Sequence, residues 1–259
     1  MPIPARRRLR LAAAAAALAV VAGCGGSGGP PPPGPDVGTR LDAKMPASIL
    51  QLPLTTSTGK HTSLSAYAGK VMVVSDSLTL CQESCPLDTS NVVEAARAVQ
   101  HAGLGDKVVF LTITVDPQRD TPHRLAAYRK FYANPGQLPD WRLLTGSKHA
   151  IATLWRHLGV FTKKVPLKPK DAGVDWLTHK RLTYDVAHSD IVFFFDARQH
   201  ERFLIDGIAN ARNGAVPSTL RAFLSDTGKK NLHHPRAGSW TVGQALQTVS
   251  WLAGRKISR

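Results

Sequence analysis

The sequence predicts an α/β fold in which a central mixed β-sheet is flanked by helices. One observation is a set of short runs of β-branched and aromatic residues, which are typical of buried strands. These runs lie at residues 71–74, 108–115, 141–144, 191–195 and 202–205. Another observation is their order, because helical patterns separate the earlier runs whereas the last two runs flank a short turn. This order predicts strands joined by helices, followed by a hairpin and a further helix.

Helix boundaries follow from residues with a clear local preference. Pro86 suits the first turn of a helix, where a missing N–H costs nothing, and this helix ends at Gly103. Pro122 lies near the start of the next helix in the same way. Apolar residues at helical spacing predict further helices at residues 151–158 and 220–224.

Two additions flank this core, an N-terminal hairpin and a C-terminal helical extension. Residues 49–64 predict a hairpin that turns at Gly59, and Thr241 can cap a helix whose apolar stripe reaches Leu252. Residues 161–184 are polar and basic and are predicted to form a long excursion. The complete order is that expected of a thioredoxin-like fold, which presents the residues between a strand and a helix at the helix N-terminus.

The first residues of the chain indicate export and lipid attachment. Arginines precede an apolar run at residues 11–22, which is shorter than the roughly 20 residues that a membrane-spanning helix needs. The Val-Ala-Gly-Cys sequence at residues 21–24 resembles the lipobox of bacterial lipoproteins, in which the cysteine is acylated and becomes the first residue after cleavage. We therefore expect lipidation of Cys24, with simple secretion as the alternative, and a place on the extracytoplasmic face of the cell membrane.

Composition divides the chain into four segments. They are a lipoprotein signal peptide at residues 1–23, a flexible Gly/Pro-rich tether at 24–45, a thioredoxin-like domain at 46–228 and a C-terminal extension with a helix at 229–259.

The formal charge of the whole chain is +15. A basic surface of this kind can bind anionic lipid or an acidic partner, or can serve solubility alone. Nucleic acid is excluded as a partner, because the chain is predicted to be exported and carries no nucleic-acid-binding motif.

Two of the three cysteines, Cys81 and Cys85, are expected to remain as thiols once Cys24 is modified. Their spacing is about one helical turn, so both sulfur atoms can face the same side. Such a pair can form a disulfide, catalyse thiol exchange or bind a soft metal. A disulfide between them would close a very short loop, which argues against a purely structural role.

Three stretches in order resemble the Sco/SenC family of thioredoxin-like proteins. They are residues 69–71 leading to the cysteine pair at 81–86, the Asp-Pro-Gln-Arg-Asp-Thr-Pro run within residues 114–122, and Tyr-Asp-Val-Ala-His-Ser at 184–189. The second stretch is the most specific, and the resemblance covers roughly residues 52–224. The family usually has proline and aspartate where this chain has Gln82 and Glu83, and a less polar stretch than residues 75–78.

The resemblance implies a copper-binding protein that assists assembly of the CuA centre of cytochrome c oxidase. The implied ligands are Cys81, Cys85 and His188, and the implied partner is cytochrome c oxidase subunit II or another copper protein. Two thiolates and one imidazole satisfy Cu(I), whereas Cu(II) would favour a fourth, harder ligand. Zinc remains an alternative metal. A thiol-disulfide oxidoreductase that uses Cys81 and Cys85 without His188 is the alternative function, so an enzymatic activity stays open beside the favoured role as a metallochaperone.

Other polar residues are predicted to have supporting or reserve roles. Asp116 and Arg119 are predicted to form an ion pair that fixes their loop, and Asp120 is predicted to cap the following helix. His179 is the reserve ligand because it lies in the excursion before His188. The C-terminal helix is predicted to pack on its own domain; the alternative is a helix in the lipid interface, with tryptophan and basic residues against lipid.

Overall fold

A computed structural model describes residues 28–132, 139–168, 170, 172–212 and 215–258. The predicted signal peptide and Cys24 lie outside these residues. Among the residues described, none of the helices has the length and apolar character needed to cross a membrane.

Ten strands and seven α-helices make up the described part of the chain. The strands are β1 Thr39–Lys44, β2 Leu54–Thr56, β3 His61–Thr62, β4 Val71–Ser77, β5 Val108–Thr114, β6 Trp141–Gly146, β7 Thr162–Pro166, β8 Tyr184–His188, β9 Ile191–Phe195 and β10 His200–Asp206. The helices are α1 Ala47–Leu50, α2 Cys85–His101, α3 Pro122–Phe131, α4 Lys148–His157, α5 Ser218–Phe223, α6 Asp226–His233 and α7 Val242–Ala253, with a 3-10 helix at Leu64–Tyr67.

Eight of the strands form one mixed sheet, in the order β1-β10-β9-β4-β5-β6-β2-β3. β4, β5 and β6 are parallel neighbours, whereas β9 runs antiparallel to both of its neighbours, β4 and β10. Side chains of β4 alternate between two apolar clusters: Val71 and Val73 join α2, α3 and α7, whereas Met72 and Val74 join α4 on the opposite face. Both faces of the central strands are therefore covered by helices, which explains their continuous apolar sequences. The predicted thioredoxin-like architecture is confirmed.

The folded region begins before residue 46, inside the segment predicted to be a tether. β1 pairs with β10 and covers what would otherwise be an exposed sheet edge, and Val37 is buried against the core. All but one of the β1 residues are exposed. The strand therefore has no apolar pattern in the sequence, and its pairing with β10 is what defines it.

The predicted excursion also contains a strand. β7 and β8 pair in a separate two-stranded sheet, which we call the hairpin arm, and Thr162 lies opposite His188. Every residue of β7 is exposed, so apolar periodicity could not indicate it. At the N-terminus, β2 and β3 form the predicted hairpin with Gly59 at a φ of 82°, but Ile49 lies in helix α1 instead of a strand.

The C-terminal helix packs on its own domain, as predicted. Thr241 and Gln244 form a reciprocal capping box at the start of α7. Leu246 and Val249 are buried in the cluster that includes α2. Trp240 is 1 % exposed and its indole N–H donates to Asp88 Oδ1 of α2 at 3.0 Å. The C-terminal extension is therefore part of the main core.

Candidate metal centre

The two cysteines lie where β4 leads into α2. Cys85 is the first residue of the helix with Pro86 in its first turn, as the sequence predicts, whereas Cys81 lies in the loop before it. Both are free thiols, and they are 6 % and 1 % exposed respectively. The loop folds back so that the two side chains are adjacent although they do not share a helix.

The environments of the two sulfur atoms differ. Cys81 Sγ accepts from the backbone N–H groups of Glu83 at 3.5 Å and Cys85 at 3.4 Å, and lies 3.8 Å from Ser84 Oγ. A hydrogen bond from the Cys85 thiol holds the pKa of Cys81 well below its usual range, against the effect of burial. Burial and the neighbouring Cys81 sulfur raise the pKa of Cys85 well above its usual range. In the metal-free protein Cys81 therefore loses its proton more readily than Cys85 does.

His188 ends β8 and points its imidazole at the cysteines. Its Nε2 lies 3.2 Å from Cys85 Sγ, and its Nδ1 lies 2.5 Å from Asp76 Oδ2 and 2.8 Å from the carbonyl oxygen of Ser189. Burial disfavours charge on this ring, yet the hydrogen bond to Asp76 and the Cys81 thiolate raise the pKa of His188 well above its usual range. Because Nδ1–H faces two acceptors, Nε2 is the nitrogen available to a metal.

Asp76 is a site residue that sequence reasoning missed. It lies in buried strand β4, and its second oxygen accepts from the Ile191 N–H at 2.9 Å. The sequence signal was a lone carboxylate in an otherwise neutral buried strand, which needs a partner to offset its lost hydration.

The ligand atoms of Cys81, Cys85 and His188 all lie within 4.8 Å of one another. Two sulfur atoms and one imidazole nitrogen are thus placed to bind a metal ion. The binding form requires both thiols and Nε2 to be deprotonated. His179, the reserve ligand, is exposed and does not belong to this group.

The Asp-Pro-Gln-Arg-Asp-Thr-Pro run contacts both the strand that carries His188 and the loop that leads to Cys81. Arg119 forms the predicted ion pair with Asp116, stacks 3.7 Å from the centre of the Tyr184 ring and donates to the Tyr184 carbonyl at 2.8 Å. Tyr184 O–H in turn donates to Asp116 Oδ1 at 3.2 Å. These contacts hold β8, which carries His188.

The prediction that Asp120 caps α3 is wrong. Thr121 is the N-cap, and its hydroxyl accepts from the Arg124 N–H at 3.3 Å. Asp120 is buried, and it accepts from the Thr79 amide at 3.2 Å and from the hydroxyls of Thr79 and Thr114, each at 2.6 Å. Burial raises the pKa of Asp120 to about 6 although these hydrogen bonds favour its charge. Asp120 therefore holds the loop that leads to Cys81.

Comparison with known proteins identifies the family. A sequence model described as SCO1/SenC matches residues 47–216. The human mitochondrial SCO1 homolog is 23% identical over 178 residues, which are 69% of this chain and 53% of the human protein. The chain therefore spans about half the length of that relative.

Solved structures give similar matches. A SCO1/SenC family lipoprotein from Bacillus anthracis has a TM-score of 0.51 and 22% identity, over 71% of this chain and 95% of that one. Bradyrhizobium japonicum ScoI with copper bound has a TM-score of 0.46 and 25% identity, over 67% of this chain and 97% of that one. Because the SCO1/SenC sequence model covers most of the chain, this protein belongs to the SCO1/SenC family.

Proposed function

We propose that this protein binds Cu(I) through Cys81, Cys85 and His188 and delivers it during assembly of the CuA centre of cytochrome c oxidase. The observation that supports this function best is the grouping of two free thiols and one imidazole nitrogen within 4.8 Å. Membership of the SCO1/SenC family, whose sequence model includes all three residues, supports the same role.

The donor set favours Cu(I) over other ions. Cu(I) is soft and is satisfied by two thiolates and one imidazole, whereas structural zinc sites take four ligands and Cu(II) favours a harder fourth one. His188 belongs to the hairpin arm and not to the main sheet. A movement of the arm would remove one ligand, which suits a protein that releases its metal.

The location and the partner are further parts of the proposal. Acylation of Cys24 would hold the domain on the extracytoplasmic face of the cell membrane. The receiving protein would be cytochrome c oxidase subunit II or another copper protein there. The lipobox at residues 21–24 supports the anchor, and the family resemblance supports the partner.

A Cu(I) competition titration against a chromophoric chelator tests the proposal on the reduced chain. The wild type should bind one Cu(I), and Cys81→Ala and His188→Ala should each weaken binding by more than about 100-fold, beyond the range seen when only a supporting residue is lost. His179→Asn is the matched control, because asparagine tolerates the left-handed backbone at that residue, whose φ is 57°. Wild-type affinity in either ligand variant would reject the site.

The difference between the two thiols supports thiol-disulfide exchange as a second candidate. The Cys81 thiolate would attack a substrate disulfide and release one substrate thiolate. Cys85, once deprotonated, would then attack Cys81 Sγ, release the second thiolate and leave an oxidised pair, so that two electrons reach the substrate. The same variants separate the functions: reduction of a disulfide substrate by His188→Ala at the wild-type rate, together with unchanged Cu(I) affinity, would favour exchange over copper delivery.

A further inference from the structure

Gln82 connects the cysteine loop to the C-terminal part of the chain. Its backbone carbonyl accepts from the Ser225 N–H at 2.9 Å and from the Ser225 hydroxyl at 3.2 Å. Its side-chain amide donates to the Phe223 carbonyl at 3.0 Å. Phe223 ends α5 and Ser225 is the N-cap of α6, so a residue between the two cysteines bonds to two helices. Both helices follow residue 216, where the SCO1/SenC match ends.

Two glycines make room for this contact. A Cβ atom on Gly228 would lie 2.2 Å from the Gln82 carbonyl oxygen, and one on Gly173 would lie 2.4 Å from Gln82 Nε2. Neither glycine has a positive φ, so backbone conformation does not explain why these two residues are glycines. Gly228 lies inside α6, where glycine is less favourable than alanine. The close approach of the Gln82 carbonyl explains the absence of a side chain at Gly228, and Gly173 leaves room for the Gln82 side-chain amide.

The contact acts on the immediate surroundings of Cys81. The amides of Glu83 and Cys85, which donate to Cys81 Sγ, follow Gln82 within three residues. The Ser225 hydroxyl donates to Gln82 while it accepts from the Gly228 N–H at 3.2 Å, so the loop and the first turn of α6 share one hydroxyl. Displacement of Gln82 would therefore turn these amides away from the sulfur.

We propose that Gln82 is a positioning residue that clasps the cysteine loop to residues 223–228, so that the C-terminal helices restrain the movement and accessibility of Cys81. The proposal deepens the function proposed above in that it rests on Cys81 being a working residue of the site, but it does not depend on which metal binds. The restrained loop gives this chain a cysteine pair whose opening is controlled from outside the part of the chain that matches the family.

The test is the alkylation rate of each cysteine in the reduced, metal-free full chain with iodoacetamide, resolved by peptide mass spectrometry. Gln82→Ala removes the amide and should raise the rate at Cys81 by about fivefold, which is the effect on local opening of losing one hydrogen bond of ordinary net strength. Hydrogen exchange at the Glu83 and Cys85 amides should accelerate by a similar factor, which a change in thiol reactivity alone would not produce.

Serine caps provide the matched control. Ser225→Ala and Ser147→Ala each remove an N-cap hydroxyl, from α6 and α4 respectively, but only Ser225 also bonds to Gln82. Ser225→Ala should accelerate both readouts, whereas Ser147→Ala should leave them at wild-type rates. Equal rates in the wild type, Gln82→Ala and Ser225→Ala would overturn the clasp. Because copper is absent from this experiment, failure of the clasp and failure of copper binding are separate results.

Discussion

Asp76 lies in a buried strand, and its two oxygen atoms have different partners. One bonds to His188 and the other to the Ile191 amide, so the carboxylate connects β4 to the residues on either side of the β8–β9 turn. An unpaired buried carboxylate would be strongly destabilising, and these hydrogen bonds offset the lost hydration. Together with the Ser189 carbonyl, Asp76 consequently holds Nδ1 of His188 and leaves Nε2 facing the sulfur atoms.

Replacement of Asp76 should weaken metal binding without removing a ligand. In Asp76→Asn the neutral amide stabilises Nδ1–H less well than the carboxylate does, so His188 loses part of its basicity, although the Ser189 carbonyl still accepts from Nδ1. We expect Cu(I) affinity to fall by about 10–100-fold, the usual effect of losing such a supporting residue. The measurement is the chelator competition described above. Asp206→Asn, at an exposed position at the end of β10, is the control, and equal affinities in the two variants would show that Asp76 does not act through His188.

The sequence alone could locate the three metal ligands, but it could not locate the residues that support them. The cysteine pair and His188 belong to short local patterns, and the structure brings all three together as the resemblance implies. The Asp76–His188 contact joins residues separated by 112 positions. Such a contact depends on how β4 and β8 approach each other, which local patterns do not specify. Asp120 was misassigned for a similar reason, since its partner Thr79 lies 41 positions away.

Among the strands of the described residues, those of the hairpin arm are separate from the main sheet. Its strands pair only with each other, so side chains attach the excursion to the domain. The guanidinium of Arg124 on α3 forms two hydrogen bonds with Asp175, at 2.8 and 2.6 Å, and both side chains are buried. The next residue, Trp176, donates to the Thr79 carbonyl at 2.7 Å. The excursion is thereby fastened to the loop that carries Cys81.

Loss of the Arg124–Asp175 pair should destabilise the protein strongly. Asp175→Asn leaves the Arg124 charge buried without its partner, and we expect the free energy of unfolding to fall by about 3–5 kcal/mol at pH 7. Urea unfolding measures the change. Asp42→Asn is the control: Asp42 is 76% exposed beside Arg202, so its loss should cost less than about 1 kcal/mol. An equally small loss in Asp175→Asn would contradict the assignment.

The same pair predicts a pH dependence. Burial disfavours the charged carboxylate, but the Arg124 guanidinium and nearby amides hold the pKa of Asp175 below its usual range. A carboxylate whose pKa is lowered by folding contributes stability above its unfolded value, about 3.9, and this stability is lost as the pH falls below that value. The difference between wild type and Asp175→Asn should therefore be constant near neutral pH and shrink below about pH 4.

At the scale of the whole molecule, the core elements were predictable from sequence, whereas the exposed strands β1 and β7 were not. The central strands and α2 have apolar patterns that burial imposes, so sequence located them. β1 and β7 are exposed and are held by backbone pairing, which leaves no periodicity to detect. The C-terminal helix was visible from its stripe and cap, and its packing against α2 makes it part of the core.

The start of the described chain also bears on the proposed anchor. A Cβ on Gly29 would lie 3.2 Å from the Gly254 Cα, so this residue contacts the end of α7. Cys24 precedes Gly29 by five residues, and a fully extended chain of that length spans at most roughly 18 Å. An acyl chain on Cys24 would therefore hold the end of α7, with Arg255 and Lys256, close to the lipid surface. Basic residues there would be favoured by anionic lipid.

Metabolic labelling tests this attachment directly. The full chain is expressed in a bacterial host that is supplied with an alkyne-tagged fatty acid, and the label is detected on the purified protein. We expect labelling of the wild type, loss of the label in Cys24→Ser and retention in Cys85→Ser, because acylation requires the thiol at the lipobox. Stable anchoring takes either two acyl chains or one acyl chain with a basic patch, and the mass of the N-terminal peptide distinguishes the two. An unlabelled wild type would instead favour secretion without a lipid anchor, and a label that persists in Cys24→Ser would place the acylation at another residue.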